Sequence, residues 1–318
     1  MNILKKILLL FLLICSLNAK DLAPSAKIEA SGGVTDMVIS NNKLYVATKA
    51  GKVDIFDVKT KKYLTSITLP LIIDFVGDEV ESKIYSIDVL KNRVLIVSQG
   101  QKGGRNLSLF TDDKLTNIIS DKKRMYIANA KFISDKEILF STLSNQLYLY
   151  DLISGKNTYD KQVSQSKFSH FVLNEDKSEV IIADESGDLK IINVQNSHLR
   201  TTLKGQNLDN VFQVAWKNGT IITAGQDRRT VVYNNKNYQP YIRESSFLIY
   251  GCALSNSGKI AAYSSDEQNN VTIFNTQSKE NLFKLIDNKM TISKILFLNE
   301  HEVFIGTDDK VINFYKLL

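Results

Sequence analysis

Histidine, cysteine and proline are scarce in this chain of 318 residues, which contains 3 His, 2 Cys and 3 Pro. No Cys-x-x-Cys-His segment is present, which excludes covalent attachment of a c-type haem. His170, His198 and His301 lie far apart in the sequence, and no pair of cysteines accompanies them. A structural zinc site is therefore excluded by ligand count.

The sequence also lacks the short motifs of nucleophilic and phosphate chemistry. There is no Gly-x-Ser-x-Gly elbow and no glycine-rich loop that ends in Lys-Ser or Lys-Thr. Residues 99–105 are rich in glycine, and we interpret them as a loop between two strands. Cys252 lies between Gly251 and Ala253 in a predicted strand, with no neighbouring base, so we expect a small buried hydrophobic residue and not a catalytic thiol.

The charge balance is mildly basic, with 40 Lys and Arg against 34 Asp and Glu and a formal net charge of +6. A basic balance can indicate a nucleic-acid partner, but here the lysines are scattered among asparagines and no long basic cluster occurs. We therefore expect no nucleic-acid partner.

Residues 1–19 are typical of a secretory signal peptide. Lys5 and Lys6 precede an apolar run over 7–14, and Ala19 stands at the expected cleavage position. The run is short for a membrane span, so we expect export to the periplasm and no stable membrane insertion after cleavage.

A lipoprotein signal is the alternative, with Cys15 as the acylated residue. Ile14, directly before it, is bulky and branched where such signals have a small residue. We therefore favour the cleaved signal peptide.

A strand-forming phrase recurs seven times along the rest of the chain. Its anchors are separated by 54, 40, 42, 41, 41 and 41 residues, and they are Phe56, Phe110, Tyr150, Ile192, Tyr233, Phe274 and Tyr315. A period near forty residues with several strands per period is typical of a β-propeller blade. Residues 20–318 are therefore predicted to form one all-β domain, a seven-bladed propeller.

The fifth repeat gives the pattern of one blade. Strands are predicted over 211–216, 220–224, 230–234 and 238–243, and Asn218-Gly219 supplies a tight hairpin turn between the first two.

The last repeat has only three predicted strands, over 292–298, 302–306 and 312–317. Residues 26–30 alternate between apolar and polar and precede the first complete blade. Because an open ring would leave a sheet edge unpaired, we predict that this N-terminal strand closes the last blade.

Residues 223–234 resemble a WD40 blade, as do residues 306–310 before Tyr315 and residues 184–188 before Ile192. The resemblance implies a WD40-like propeller over nearly the whole chain after the signal. Two features of that family are missing, since the Gly-His dipeptide is absent and Trp-Asp is replaced by pairs such as Phe56-Asp57. The hydrogen-bond network of WD40 blades therefore cannot form, and we expect blade cohesion to depend on apolar packing.

A narrower resemblance combines the signal peptide, seven degenerate blades, a composition rich in Lys and Asn, and the amino-acid sequence of residues 44–48 and 51–57. Together these features resemble the periplasmic propeller accessory proteins of ε-proteobacterial periplasmic nitrate reductase. The resemblance implies a role in maturation of, or electron supply to, a molybdenum enzyme, without a cofactor of the propeller's own.

These observations favour a non-catalytic interaction scaffold with a protein partner. Two other classes stay open. One is an outer-membrane protein assembly propeller, which requires lipidation of Cys15. The other is a channel-centred enzyme of the lactonase or quinoprotein type.

The central channel is the place where such an enzyme would hold its reactive groups. The predicted channel-lining residues are Asp36, Asp88, Asn129, His170, Gln213 and Lys294. This set mixes acids, amides and bases and forms no recognisable metal cage, so we expect neither a metal nor a cofactor.

The long interval between the first two repeats contains an insertion over residues 70–83, which we predict to be a functional loop. Its acidic residues surround an apolar pair, Phe75-Val76, and they are Asp74, Asp78, Glu79 and Glu81.

One rim of the propeller is predicted to be divided by charge. Its basic residues are Lys49, Lys52, Lys102 and Arg105, with Arg228 and Arg229 further round. Its acidic residues are Asp184, Glu185, Asp188, Asp266, Glu267, Asp308 and Asp309. Such a division would orient a charged partner.

Overall fold

The computed structural model describes residues 19–234 and 238–318. Over these residues seven small sheets form a ring, which is a seven-bladed β-propeller, as predicted. Residues 1–18 of the predicted signal peptide, which include Cys15, lie outside the described residues. The described residues contain no helix long and apolar enough to cross a membrane.

The strands follow one another in chain order. The first two are β1 (Lys20–Leu22) and β2 (Ala26–Glu29). Blade 1 contains β3 (Val34–Ser40), β4 (Lys43–Thr48), β5 (Lys52–Asp57) and β6 (Tyr63–Thr68), and a small hairpin of β7 (Ile72–Ile73) and β8 (Glu79–Val80) follows. Blade 2 contains β9 (Ile84–Leu90), β10 (Arg93–Gln99), β11 (Arg105–Thr111) and β12 (Lys114–Ile119), with 3-10 turns over Gln101–Gly103 and Asp121–Lys123. Blade 3 contains β13 (Ile127–Phe132), β14 (Glu137–Thr142), β15 (Gln146–Asp151) and β16 (Lys156–Gln162).

Blade 4 contains β17 (Phe168–Leu173), β18 (Glu179–Asp184), β19 (Leu189–Asn193) and β20 (Leu199–Leu203). Blade 5 contains β21 (Val211–Lys217), β22 (Thr220–Gly225), β23 (Arg229–Asn234) and β24 (Gln239–Glu244). Blade 6 contains β25 (Cys252–Leu254), β26 (Ile260–Ser264), β27 (Val271–Asn275) and β28 (Asn281–Leu285). Blade 7 contains β29 (Ile292–Asn299), β30 (Glu302–Thr307) and β31 (Val311–Lys316).

Tight hairpins join the first two strands of several blades. Asn41 and Asn42 have φ values of 49° and 59°, and Asn218 and Gly219 have φ values of 46° and 76°. Two successive residues with positive φ match the right-handed twist of the flanking strands, which is why Asn and Gly occur here.

The core is divided into seven apolar clusters, each lying between two adjacent blades. Between blades 7 and 1, for example, Phe304 and Phe314 pack with Leu44 and Phe56. Because every blade buries both of its faces against neighbours, no blade has a core of its own, and stability depends on completing the ring.

The N-terminal strand closes the last blade, as predicted. β2 pairs antiparallel with β31, Ile28 opposite Ile312, and Ala30 N–H donates to the Lys310 carbonyl at 2.9 Å. A second closure was not predicted, because β1 adds in parallel to the outer edge of β28 in blade 6. The N-terminal segment therefore joins blades 6 and 7.

Apolar packing joins adjacent blades, as expected, but at the junction of blades 3 and 4 a buried polar network adds to it. Asp184 is fully buried, and its Oδ2 accepts hydrogen bonds from Asn145 Nδ2 (2.9 Å), Ser164 Oγ (2.7 Å) and Lys190 Nζ (2.8 Å). A buried carboxylate must be paired or it destabilises the fold, and these donors come from both blades. This polar network joins blades 3 and 4 in addition to the apolar cluster between them.

Candidate functional site

One face of the ring carries the connections between blades together with the turns between second and third strands. We call it the connection face, and it includes residues 30–33, 69–83, 120–126, 163–167, 204–210, 245–251 and 286–291. The turns between first and second strands lie on the opposite face. Strand direction alternates within each blade, so the two faces differ along the whole ring.

The insertion after blade 1 is an ordered hairpin on the connection face. β7 pairs with β8, and Asp74 Oδ1 accepts hydrogen bonds from the N–H groups of Val76 (2.9 Å), Gly77 (2.9 Å) and Asp78 (3.0 Å). An aspartate that accepts several amides of its own turn fixes the turn's conformation. Asp74 therefore shapes the hairpin tip.

The tip presents two apolar side chains to solvent. Phe75 is 81% exposed and Val76 is 83% exposed. The edge of the Phe75 ring lies against Gly103 of blade 2, where a Cβ atom would come within 2.2 Å of the ring. Ile73 N–H also donates to Gln101 Oε1 at 2.7 Å. The hairpin is thus braced on blade 2 while its tip stays uncovered.

Further apolar side chains are exposed on other inter-blade connections of the same face. They are Leu71 and Ile73 beside the hairpin tip, Tyr126 between blades 2 and 3, Leu208 between blades 4 and 5, and Met290 between blades 6 and 7. Exposed apolar residues scattered singly are ordinary, but a set that shares one face marks a candidate contact surface.

Most of the acidic residues predicted on this rim have lysine partners, which reduces the uncompensated acidic charge that the rim presents. Lys190 pairs with Asp184, which is buried and unavailable to a partner. The other pairs, by their Nζ–carboxylate distances, are Lys49–Asp308 (3.0 Å), Lys167–Glu185 (3.6 Å), Lys204–Asp188 (3.8 Å) and Lys284–Asp266 (2.9 Å). Two of these lysines, Lys204 and Lys284, lie just after or on the fourth strand of the same blade, which brings them next to its turn.

The other predicted contact residues differ in whether their side chains are exposed to solvent or held by contacts within the fold. Asp78, Glu79, Lys102 and Arg228 are exposed, and Lys52 and Arg229 are half-buried. Arg105 is engaged in the fold, because its guanidinium donates to the Ile127 carbonyl at 2.7 Å and lies 3.9 Å from the centre of the Tyr85 ring. The exposed members lie on the same face as the hairpin tip.

The channel residues predicted from sequence come together at one level of the ring. Each follows a bulge near the start of its innermost strand, at one equivalent position per blade, and they are Asp36, Asn129, His170, Gln213 and Lys294. Asp88 is the exception: Ser86 holds this position in blade 2, and Asp88 lies one layer further along. Lys131 shares that second layer; sequence reasoning missed it, although counting two residues on from Asn129 would have found it.

Asp36 makes the most polar contacts among these channel residues. Its carboxylate lies 2.8 Å from Lys294 Nζ and 3.7 Å from Lys131 Nζ, and it accepts the Ile87 N–H at 3.1 Å. Burial acts to raise the pKa of Asp36, but the two ammonium groups outweigh it and hold this pKa well below its ordinary value. Burial, aided by Lys294, lowers the pKa of His170 to about 3, so the imidazole is neutral at pH 7.

Asp36 is therefore the shared counter-ion of Lys294 and Lys131. Cys252 is buried, and burial raises the pKa of its thiol, so the sulfur stays protonated. Within residues 19–234 and 238–318, no group of three or more His, Cys, Asp or Glu side chains is placed to hold a metal ion.

Ring and site together define the class of this chain, a seven-bladed β-propeller with an uncovered apolar tip on its connection face. In comparisons with known proteins, neither a family model nor a curated protein matches it.

Proposed function

We propose that this propeller is a non-catalytic interaction scaffold of the periplasm, and that its protein partner docks on the connection face over the tip of the β7–β8 hairpin. The observation that carries the proposal is the exposure of Phe75 and Val76 on a turn that Asp74 holds in place. An apolar side chain that is exposed by chance would not require an ordered turn to hold it in place.

The energetic argument concerns what a partner would gain. Burying a side chain the size of phenylalanine is worth about 2 kcal/mol, and valine adds a comparable amount. Because the turn is already ordered, little conformational entropy is lost when it is covered. Pre-ordered apolar anchors of this kind are typical of interface hot spots.

The partner we propose is a component of a periplasmic nitrate reductase, with the propeller acting in its maturation or electron supply. Support comes from the resemblance of the exported, Lys- and Asn-rich, degenerate seven-bladed chain to the accessory propellers of that enzyme. The proposed scaffold role is supported by the exposed hairpin tip, whereas the proposed partner is supported by the resemblance. The two proposals can therefore fail independently.

The test is a binding experiment between the purified mature propeller and the purified reductase subunits. Replacing both tip residues (Phe75→Ser with Val76→Ser) is expected to weaken binding by at least tenfold. The matched control is Ile153→Ser, which removes a side chain that is 73% exposed on the opposite face. Equal loss of binding in both variants would contradict docking at the tip, and absence of binding by the unaltered propeller would contradict the proposed partner.

A further inference from the structure

The half of the central channel that opens toward the opposite face contains a cavity of about 390 Å³. The innermost strands of blades 1, 4, 5, 6 and 7 line it, from the level of His170 and Lys294 down to the end of β21 at Lys217. Its walls are mainly apolar and include Val38, Val172, Ala215, Leu296 and Leu298. A concave, mainly apolar cavity with a few converging polar groups is typical of a site for a small molecule.

The charges that line this cavity are of one sign. Among its described lining residues, the ionised side chains are Lys294 at the inner end and Lys217 at the mouth. Gln213 is level with Lys294, and Lys217 lies four residues further along the same strand, so the two levels are about 13 Å apart. No carboxylate is among those lining residues, although Asp36 lies directly behind Lys294 at the inner end, 2.8 Å from its Nζ.

The inner end has hydrogen-bond donors to spare. Lys294 Nζ has three N–H groups, and Asp36 Oδ1 at 2.8 Å accepts one of them. The carboxylate of Asp36 also pairs with Lys131, so one negative charge is shared between two ammonium groups. The Val214 N–H points at His170 Nδ1 from 3.5 Å, which favours the imidazole tautomer with its proton on Nε2.

We propose that this cavity binds an organic anion with an elongated apolar body, whose acidic group lies at Lys294 and His170. Hydrogen bonds from an ammonium to an anion are stronger than neutral ones, and they gain further in the lower dielectric of a protein cavity. The apolar walls would bury the body of the ligand, and Lys217 would lie at the mouth, where a second polar group of the ligand would meet it. This site is separate from partner docking on the connection face.

The test uses three probes of matched chain length with the purified mature protein: decanoate, decanol and decyltrimethylammonium. Calorimetric titration is expected to show saturable binding of decanoate, weaker binding of decanol and none of the cation. Lys294→Met is expected to weaken decanoate binding at least tenfold without improving binding of decanol by a similar factor. Ala215→Phe, which fills the cavity, is expected to abolish the binding of both.

Two further measurements keep the test decisive. Circular dichroism and thermal melting establish that each variant is folded, and Lys217→Met, at the exposed mouth, provides a second charge variant that does not touch the inner cluster. We expect it to change decanoate binding by less than about threefold, because decanoate has no second polar group to meet Lys217. Equal binding of decanoate and decyltrimethylammonium, or decanoate binding unchanged by Ala215→Phe, would overturn the proposal, as would the absence of saturable decanoate binding to the unaltered protein.

Discussion

Ile28 lies directly opposite Ile312 in the antiparallel pair of β2 and β31, and both side chains are buried in the apolar cluster between blades 7 and 1. Replacing Ile28 with Ala is expected to lower the free energy of unfolding by about 3 kcal/mol, because the change leaves a cavity at the seam of the ring. Urea unfolding measures this. Lys27→Ala, an exposed position on the same strand, is the control and should change the free energy by less than about 0.5 kcal/mol.

Deleting residues 20–31 removes β1 and β2 together, so we expect insoluble or strongly destabilised protein. Unchanged thermal unfolding of that deletion would contradict the closure of the ring by the N-terminal segment.

Asp184 provides the second prediction, at the junction of blades 3 and 4. Asp184→Asn leaves the ammonium of Lys190, whose side chain is only 12% exposed, without its counter-charge, and is expected to cost about 3 kcal/mol. Asp188→Asn is the matched control, because its partner Lys204 is exposed and 3.8 Å away, and we expect a loss below about 1 kcal/mol.

The pH dependence of the same variant follows from the direction of the Asp184 pKa. Burial acts to raise this pKa, but Lys190 and the serine hydroxyls outweigh it and hold the pKa below its ordinary value. Such a group contributes stability that is complete above the unfolded pKa of about 3.9 and is lost as the pH falls through the folded pKa. The unaltered protein and Asp184→Asn should therefore differ most above pH about 4, and a constant difference down to pH about 2 would contradict this account.

His170 gives a prediction of the same sign in a higher pH range. Its pKa is lowered to about 3 in the folded protein, whereas an unfolded histidine titrates near about 6.5. The unfolded state therefore binds the proton first, and this contribution to stability is complete above pH about 6.5 and is lost as the pH falls toward about 3. We expect His170→Gln to flatten the stability profile over that range in urea unfolding. His198→Gln, at an exposed turn, is the control for the loss of a histidine outside the channel.

The hairpin tip allows an effect on partner binding to be separated from an effect on the stability of the ring. Asp74→Ala removes the acceptor of three amide hydrogen bonds in a solvated turn. Global unfolding should change by less than about 1 kcal/mol, because the turn lies outside the ring. Amide exchange at Val76, Gly77 and Asp78 should accelerate, and partner binding should weaken. Unchanged exchange at these three amides would show that Asp74 does not hold the tip.

The sequence predicted most of the fold because the blades repeat. The fourth strand of blade 5, expected over 238–243, is observed at Gln239–Glu244, and the closing strand, expected over 26–30, is observed at Ala26–Glu29. The strands β1 and β7 were missed because they have only three and two residues, too few for alternation to be recognised.

The role of Asp184 was mispredicted because it begins a polar turn, which normally indicates exposure. Aligning the repeats would have corrected this, since Asp184 is in register with Thr48, Thr142 and Thr307, all of which are buried. The sequence did not indicate the exposure of Phe75, because an apolar pair within an insertion is equally consistent with a local core. The lysine partners of the rim depend on which residues the turns bring together, and this is set by the register of neighbouring strands.

The central claim is that a periplasmic nitrate reductase component binds the hairpin tip, and site-specific photo-crosslinking in the native cell tests it most directly. A benzophenone side chain replaces Val76 in one strain and Ile153, on the opposite face, in another. We predict a crosslink from position 76 to a reductase subunit, identified by mass spectrometry, and none from position 153. Equal crosslinking from both positions, or a position-76 product that contains no reductase subunit, would contradict the account.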